Sequence, residues 1–210
     1  MIHGGSAMPK VSPEHMQARR DQIARAAIGE FTARGIHSTS MANIISASGL
    51  SAGAIYTHFA GKDDIIAYVS QAAIGGVLAG IRKALSASPL PSEGDVLLLI
   101  AEGIRVADVS PGLIVQVWGE AATNPSVRET ANDVYAEALH FLREYSATWL
   151  VTNRGLAPSE AEAQAAPRAR VLLSAVYAHI LKAALISDHD GAVHAQDFAA
   201  LLTQQPPSVA

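Results

Sequence analysis

Residues 35–65 read GIHSTSMANIISASGLSAGAIYTHFAGKDDI, and the glycines at 49, 53 and 61 leave no room there for a long element. Helices shorter than roughly 12–15 residues are marginal alone in water. Any short helices in this run must therefore be clamped by neighbours. Ser40 or Thr39 can cap a helix over Met41–Ser48, and Ser51 can cap another over Ala52–Phe59. Gly49 between them supplies the left-handed conformation that a tight turn requires. Upstream, Met16–Arg34 reads as a longer helix ending at Gly35, with Ile23, Ala27 and Phe31 on one face and Arg19, Arg20 and Arg25 elsewhere. Ile44, Leu50, Ile55 and Phe59 are then expected to share a small core with Ile23 and Phe31. Two short helices joined by a glycine turn and braced by a third form a helix-turn-helix. That arrangement frees the outer face of the third helix to enter a major groove.

The remaining sequence is helical in period, with no sustained strand alternation. A fourth helix is predicted from Lys62 or Asp63, its first-turn aspartates matching the helix dipole. After a loop at 86–94, helices are predicted over Asp95–Val109, Leu113–Thr123 and Ser126–Thr152, with Ser110-Pro111-Gly112 as a turn. A further helical region opens at Pro158 and is expected to break or kink at Pro167. A final helix is predicted over Val193–Thr203. The fold class is all-α.

Half the residues are hydrophobic, so a core can form, and few are aromatic. There is no cysteine, which excludes disulfides and thiolate metal sites and fits a reducing compartment. The net charge of −4 is unevenly spread. Six of the 15 Lys and Arg, but only three of the 19 acids, fall within residues 1–62. A basic module joined to an acidic body is the pattern. The start, MIHGGSAMPK, has no apolar stretch suited to a secretory signal, so a cytoplasmic chain is expected. The apolar run 65–81 carries Gly76 and Gly80 at a membrane-helix spacing, but it is too short to span and contains Ser70 and Gln71. A buried helix and no membrane partner are expected.

The run 35–65, with Thr39, Ser40, Ile44, Gly49, Leu50, Ser51, Gly53, Ile55, Tyr56, His58, Phe59, Lys62 and Asp63 in register, resembles the DNA-binding signature of the TetR family of transcriptional regulators. The resemblance implies an N-terminal helix-turn-helix domain (12–62) and a larger helical effector-binding and dimerisation domain (63–204). It implies a ligand-responsive repressor that binds a palindromic operator as a homodimer and leaves it when a small apolar or amphipathic effector binds. Residues implied to face double-stranded DNA are Arg19, Ser40, Ala52, Ala54, Tyr56, Thr57, His58 and Lys62. Phosphate contacts fall to Ser40 and Lys62, and backbone contacts to Tyr56 and His58. Ala52 and Ala54 depart from the polar residues usual in the family; an alanine methyl can still meet a thymine methyl, and Thr57 becomes the candidate for base contact.

Pocket candidates among the middle helices are Val77, Leu78, Ile81, Leu99, Glu102, Val106, Trp118, Tyr135, Leu139, Phe141, Trp149 and Tyr177, with His140 and His179 as polar clues. The apolar helix 170–186 and the closing helix 193–202 are expected to pair with their copies in a four-helix interface. Gly75-Gly76 are expected to bend the fourth helix or admit a close neighbour. No nucleophile elbow, phosphate loop, HExxH or CxxC occurs, so no catalytic residue, metal or cofactor is expected and the chain reads as no enzyme. His189, Asp190 and His194 are the nearest approach to a metal cluster and are expected to be solvated. The alternative is a helical ligand-binding or scaffolding protein with a degenerate DNA-binding motif.

Overall fold

The computed structural model describes residues 12–85, 89–106 and 110–203. These form helices α1 (Pro13–Arg34), α2 (Met41–Ser48), α3 (Ala52–Tyr56), α4 (Lys62–Leu85), α5 (Glu93–Val106), α6 (Pro111–Thr123), α7 (Pro125–Arg154), α8 (Pro158–Leu185) and α9 (Gly191–Thr203), with no strand among the described residues. The 204–210 tail and the expected ends at 86–88 and 107–109 lie outside them.

Local chemistry sets the boundaries, and several differ from expectation. Ser12 accepts a hydrogen bond from the His15 amide, and Pro13 occupies the first turn, so α1 starts three residues earlier than Met16. Ser92 caps α5 through the Asp95 amide at 3.2 Å, drawing Glu93 and Gly94 into the helix. Ser110 does the same for α6, and Pro111-Gly112 is its first turn rather than a loop. Asp190 Oδ1 accepts from the amides of Ala192 and Val193, so α9 begins at Gly191. Pro167 lies inside an unbroken α8. Pro167 and the residue four before it, Ala163, are both exposed, so the carbonyl that loses its partner can face water.

Two apolar clusters organise the chain. The first joins Ile23 and Phe31 of α1, Ile44 of α2, Ile55 and Phe59 to Ile65, Ile66 and Val69 of α4, and continues into Leu113, Ala121 and Val127. The expected shared core is present, with Leu50 packed at its edge. The second cluster fills the space among α4, α5, α7, α8 and α9. Ile114 of α6 packs against both. A bidentate ion pair ties α5 to α8: Arg168 Nε and Nη2 donate to Glu93 at 2.9 and 2.7 Å, and Glu93 is buried. Beside it the buried Tyr145 hydroxyl donates to the Pro91 carbonyl at 2.9 Å. Burial, then the neighbouring Glu93 charge, raises the Tyr145 pKa far above its usual value.

Gly75 and Gly76 lie within continuous α4, and a Cβ at either would meet nothing within 4 Å. No neighbour packs closely there, so that expectation is corrected. No described helix is long and apolar enough to cross a membrane.

Candidate nucleic-acid interface and ligand cavity

The α2–α3 unit is built from capping chemistry. Ser40 forms a capping box with Asn43, its hydroxyl accepting from the Asn43 amide while the Asn43 side chain accepts from the Ser40 amide. Gly49 closes α2 at φ +69°. Ser51 caps α3 through the Ala54 amide. α3 ends at Tyr56 rather than Phe59. Thr57 folds its hydroxyl back onto the carbonyls of Gly53 and Ala54, at 3.1 and 2.6 Å. Phe59 then turns into the core, 2% exposed.

Cross-helix hydrogen bonds fix this short unit. Gln22 of α1 donates to the Ser48 carbonyl at the end of α2, at 3.0 Å. Arg20 donates to the His58 carbonyl at 3.0 Å, with its guanidinium 4.5 Å from the Phe59 ring centre and 4.6 Å from that of Tyr68. The Tyr68 hydroxyl donates to Asp21 and meets Gln17; burial and the Asp21 bond raise its pKa. The two hydrogen-bonding groups of the Ile36 peptide are held from different helices. Its N–H donates to Gln116 Oε1 of α6 at 2.9 Å, and its carbonyl accepts from Lys62 Nζ at 2.9 Å. Asn124, at the α6–α7 junction, donates to Asp63 at 3.0 Å.

The DNA-facing candidates therefore separate. Ser40, Ala52, Tyr56 and Thr57 are exposed, Tyr56 by 52%, and Ala54 is half-exposed beside them. Arg19 is half-buried and donates to Gln22 at 2.8 Å. His58 is half-buried with Nδ1 enclosed and unpartnered. Lys62, implied to meet phosphate, is turned inward onto Ile36 in this structure. Sequence reading missed three braces: Arg20, Gln22 and Gln116. For Gln116 a signal existed, a single amide in the apolar run GLIVQVW.

Between α4, α5, α6, α7 and α8 lies a cavity of about 140 Å³. Of the pocket candidates, Leu78, Trp118, Phe141 and Tyr177 line it. Leu99, Leu139 and Trp149 pack against or within the second core instead, and Trp149 is stacked under Arg168. Tyr135 is 40% exposed and meets Tyr177 edge-on. Glu102 is exposed and paired with Arg105, and Val106 is 69% exposed, so neither faces the cavity. Exposed pairing with Arg105 lowers the Glu102 pKa. His140 is an exposed partner of Glu144. Val77 and Ile81 lie outside the residues whose side chains are described.

His189 and His194 are not simply solvated. They gather with His179 at the α8–α9 corner, ring centres 5.0–6.0 Å apart. His189 Nε2 and His179 Nδ1 share a hydrogen bond at 3.0 Å, and His194 Nε2 faces the Ala175 carbonyl at 3.0 Å. Gly191 admits this approach, since a Cβ there would stand 2.7 Å from the His179 ring. Among the described residues no group of ligands has metal-binding geometry.

A braced helix-turn-helix, its second helix largely exposed, is mounted on a helical body. Residues 23–69 match the family model of bacterial regulatory proteins of the tetR family. That match covers α2, α3 and parts of α1 and α4, so the N-terminal unit resembles the DNA-binding domain of that family. The chain's fold is shared with Salmonella enterica GusR (24% identity, TM-score 0.69, covering 92% of this chain and 97% of that one). It is shared also with the TetR-family regulator PfmR of Thermus thermophilus (21%, TM-score 0.59, 86% and 96%). A third similar structure is a Saccharomonospora viridis transcriptional regulator in complex with choline (18%, TM-score 0.60, 89% and 96%). A search of curated proteins finds no match.

Proposed function

We propose that the chain is a cytoplasmic repressor whose homodimer binds a palindromic operator and is released by a small apolar or amphipathic effector. One observation carries the reading: the Ile36 peptide is gripped at once by Gln116, from a helix that walls the cavity, and by Lys62, from the start of the helix that forms another wall. Residues 12–62 are the DNA-binding unit and 63–204 the effector and dimerisation unit. Tyr56, Thr57, Ala52 and Ala54 present the groove-facing surface, with Ser40 and Arg19 toward phosphate. Lys62 serves first as a brace on Ile36, and His58 offers Arg20 its main-chain carbonyl.

Support for the homodimer comes from α8 and α9. Val171, Leu181 and Leu185 recur at helical spacing on one exposed face of α8, and Leu185 is 66% exposed. Ile186, Val193 and Leu201 add exposed apolar surface alongside. Single exposed apolar residues are ordinary, but several gathered on the last two helices favour an interface. Two copies would present two α3 helices to one face of a duplex.

An effector in the cavity would press on Ile114, Val117 and Trp118 of α6. Gln116 and Asn124 move with that helix, and through Ile36 and Asp63 they reorient the DNA-binding unit. The coupling is a shift between two populations, limited by the effector's difference in affinity for them. Anisotropy titration against DNA from upstream of the chain's own coding region tests the reading. Binding should fall steeply with salt, by a log–log slope of about −0.9 for each phosphate neutralised. Salt-insensitive binding or none at all would favour a scaffolding role for the helical body.

A further inference from the structure

We infer that the cavity takes an uncharged molecule of single-ring size, with at most one or two polar groups. The inference rests on the ligand-responsive reading above and adds the chemical class. No Asp, Glu, Lys, Arg or His occurs among the residues that line the cavity. Its walls are aliphatic except for Trp118, Phe141 and Tyr177, and Ser70 adds a hydroxyl. A carboxylate or ammonium entering there would lose its hydration with no opposite charge to replace it, which is costly.

Volume sets the size. An apolar cavity of about 150 Å³ holds a benzene-sized molecule and otherwise stays dry. At about 140 Å³ this one has the same capacity. The aromatic wall fixes the shape. Trp118 and Tyr177 pack at 4.7 Å between ring centres with a 36° tilt, so one face of each ring is spent on the other. A quaternary ammonium would find no acidic side chain among the lining residues to balance its charge. Burial, then the neighbouring Tyr135, raises the Tyr177 pKa, so its hydroxyl stays neutral as a hydrogen-bond partner.

The test uses toluene and indole against benzoate, benzylammonium and tetramethylammonium. Binding is read by calorimetry and by fluorescence of Trp118, with Trp149→Phe removing the other tryptophan. Toluene and indole should bind at millimolar or better, and the charged probes about 100-fold more weakly. Ala138→Leu fills the space and should abolish the toluene heat. Because overpacking can unfold a core, Val176→Ala is the companion variant, which enlarges the cavity and should favour naphthalene over toluene by about tenfold. Charged probes binding as well as neutral ones, or neutral probes binding undiminished in Ala138→Leu, would overturn the inference. The same probes are then added to the protein–DNA complex. Neutral binding with unchanged DNA affinity would keep the chemical class and reject the regulatory reading.

Discussion

The two halves of this chain solve opposite problems. The helices of the N-terminal unit include elements of 8 and 5 residues, too short to bury much apolar surface. Beyond the few side chains they give to the shared core, they are fixed by directional bonds to main-chain carbonyls, Gln22 to Ser48, Arg20 to His58 and Lys62 to Ile36. The body is built from helices of up to 30 residues, which can enclose space without losing their form. It keeps an apolar void and the buried Arg168–Glu93 ion pair. On the proposed function, the surface that matches a duplex is the one tied by directional bonds, and the region that admits a guest is the one left incompletely filled.

The largest test of that contrast is Arg168→Ala. It would strand the buried Glu93 carboxylate and should cost about 3–5 kcal/mol in urea unfolding. A loss below about 1 kcal/mol would mean that apolar packing alone holds the body. Next is Lys62→Met, which removes a charged donor from Ile36 and should cost about 1.5–3 kcal/mol. The loss should appear as faster amide exchange around residues 36–40, with α7 and α8 unaffected; a uniform loss would merge the two regions.

Smaller effects sharpen the picture. Gly75→Ala with Gly76→Ala meets no obstruction and should stabilise by about 0.5–1 kcal/mol per site. If α4 bends there during signalling, the double variant should also respond less to a cavity ligand while its ligand-free DNA affinity is unchanged. Unaltered response would remove the hinge. The α8–α9 corner should loosen in acid. Burial and neighbouring imidazoles lower the His179 and His189 pKa values below the ordinary 6.5. The unfolded chain then binds more protons, so the corner is fully stable above about pH 6.5 and weakens as pH falls through the folded values. Lys182 and His194 oppose charging, Asp190 favours it, and the Glu102–Arg105 pair lines the adjoining depression. Hydrogen exchange in α9, corrected for its intrinsic rate, should rise between about pH 7.5 and 5.5, and His189→Asn should flatten that rise.

Much of the fold was legible because it rests on local chemistry. Ser40, Gly49 and Ser51 mark α2 and α3 in the sequence, and the caps form as read. The core from Ile23 to Phe59 follows from helical periodicity. Boundaries moved where a serine or aspartate capped a helix earlier than the apolar pattern began, as Ser92, Ser110 and Asp190 do. The inward turn of Lys62 and the grip of Gln116 on Ile36 were not legible, because residues 26 and 80 positions away supply the partners. Glu102 and Val106 read as pocket candidates, yet helix rotation places both outside. The meeting of His179, His189 and His194 likewise depends on how α9 folds back on α8.

The central claim is that the exposed face of α3 reads DNA from a braced platform. Binding of a duplex from the upstream region by wild type and by Tyr56→Ala, at matched salt, tests it most directly. Tyr56 is exposed, so the thermal midpoint should scarcely change, while DNA affinity should fall about tenfold or more. Equal affinity for both proteins, with folding intact, would contradict it.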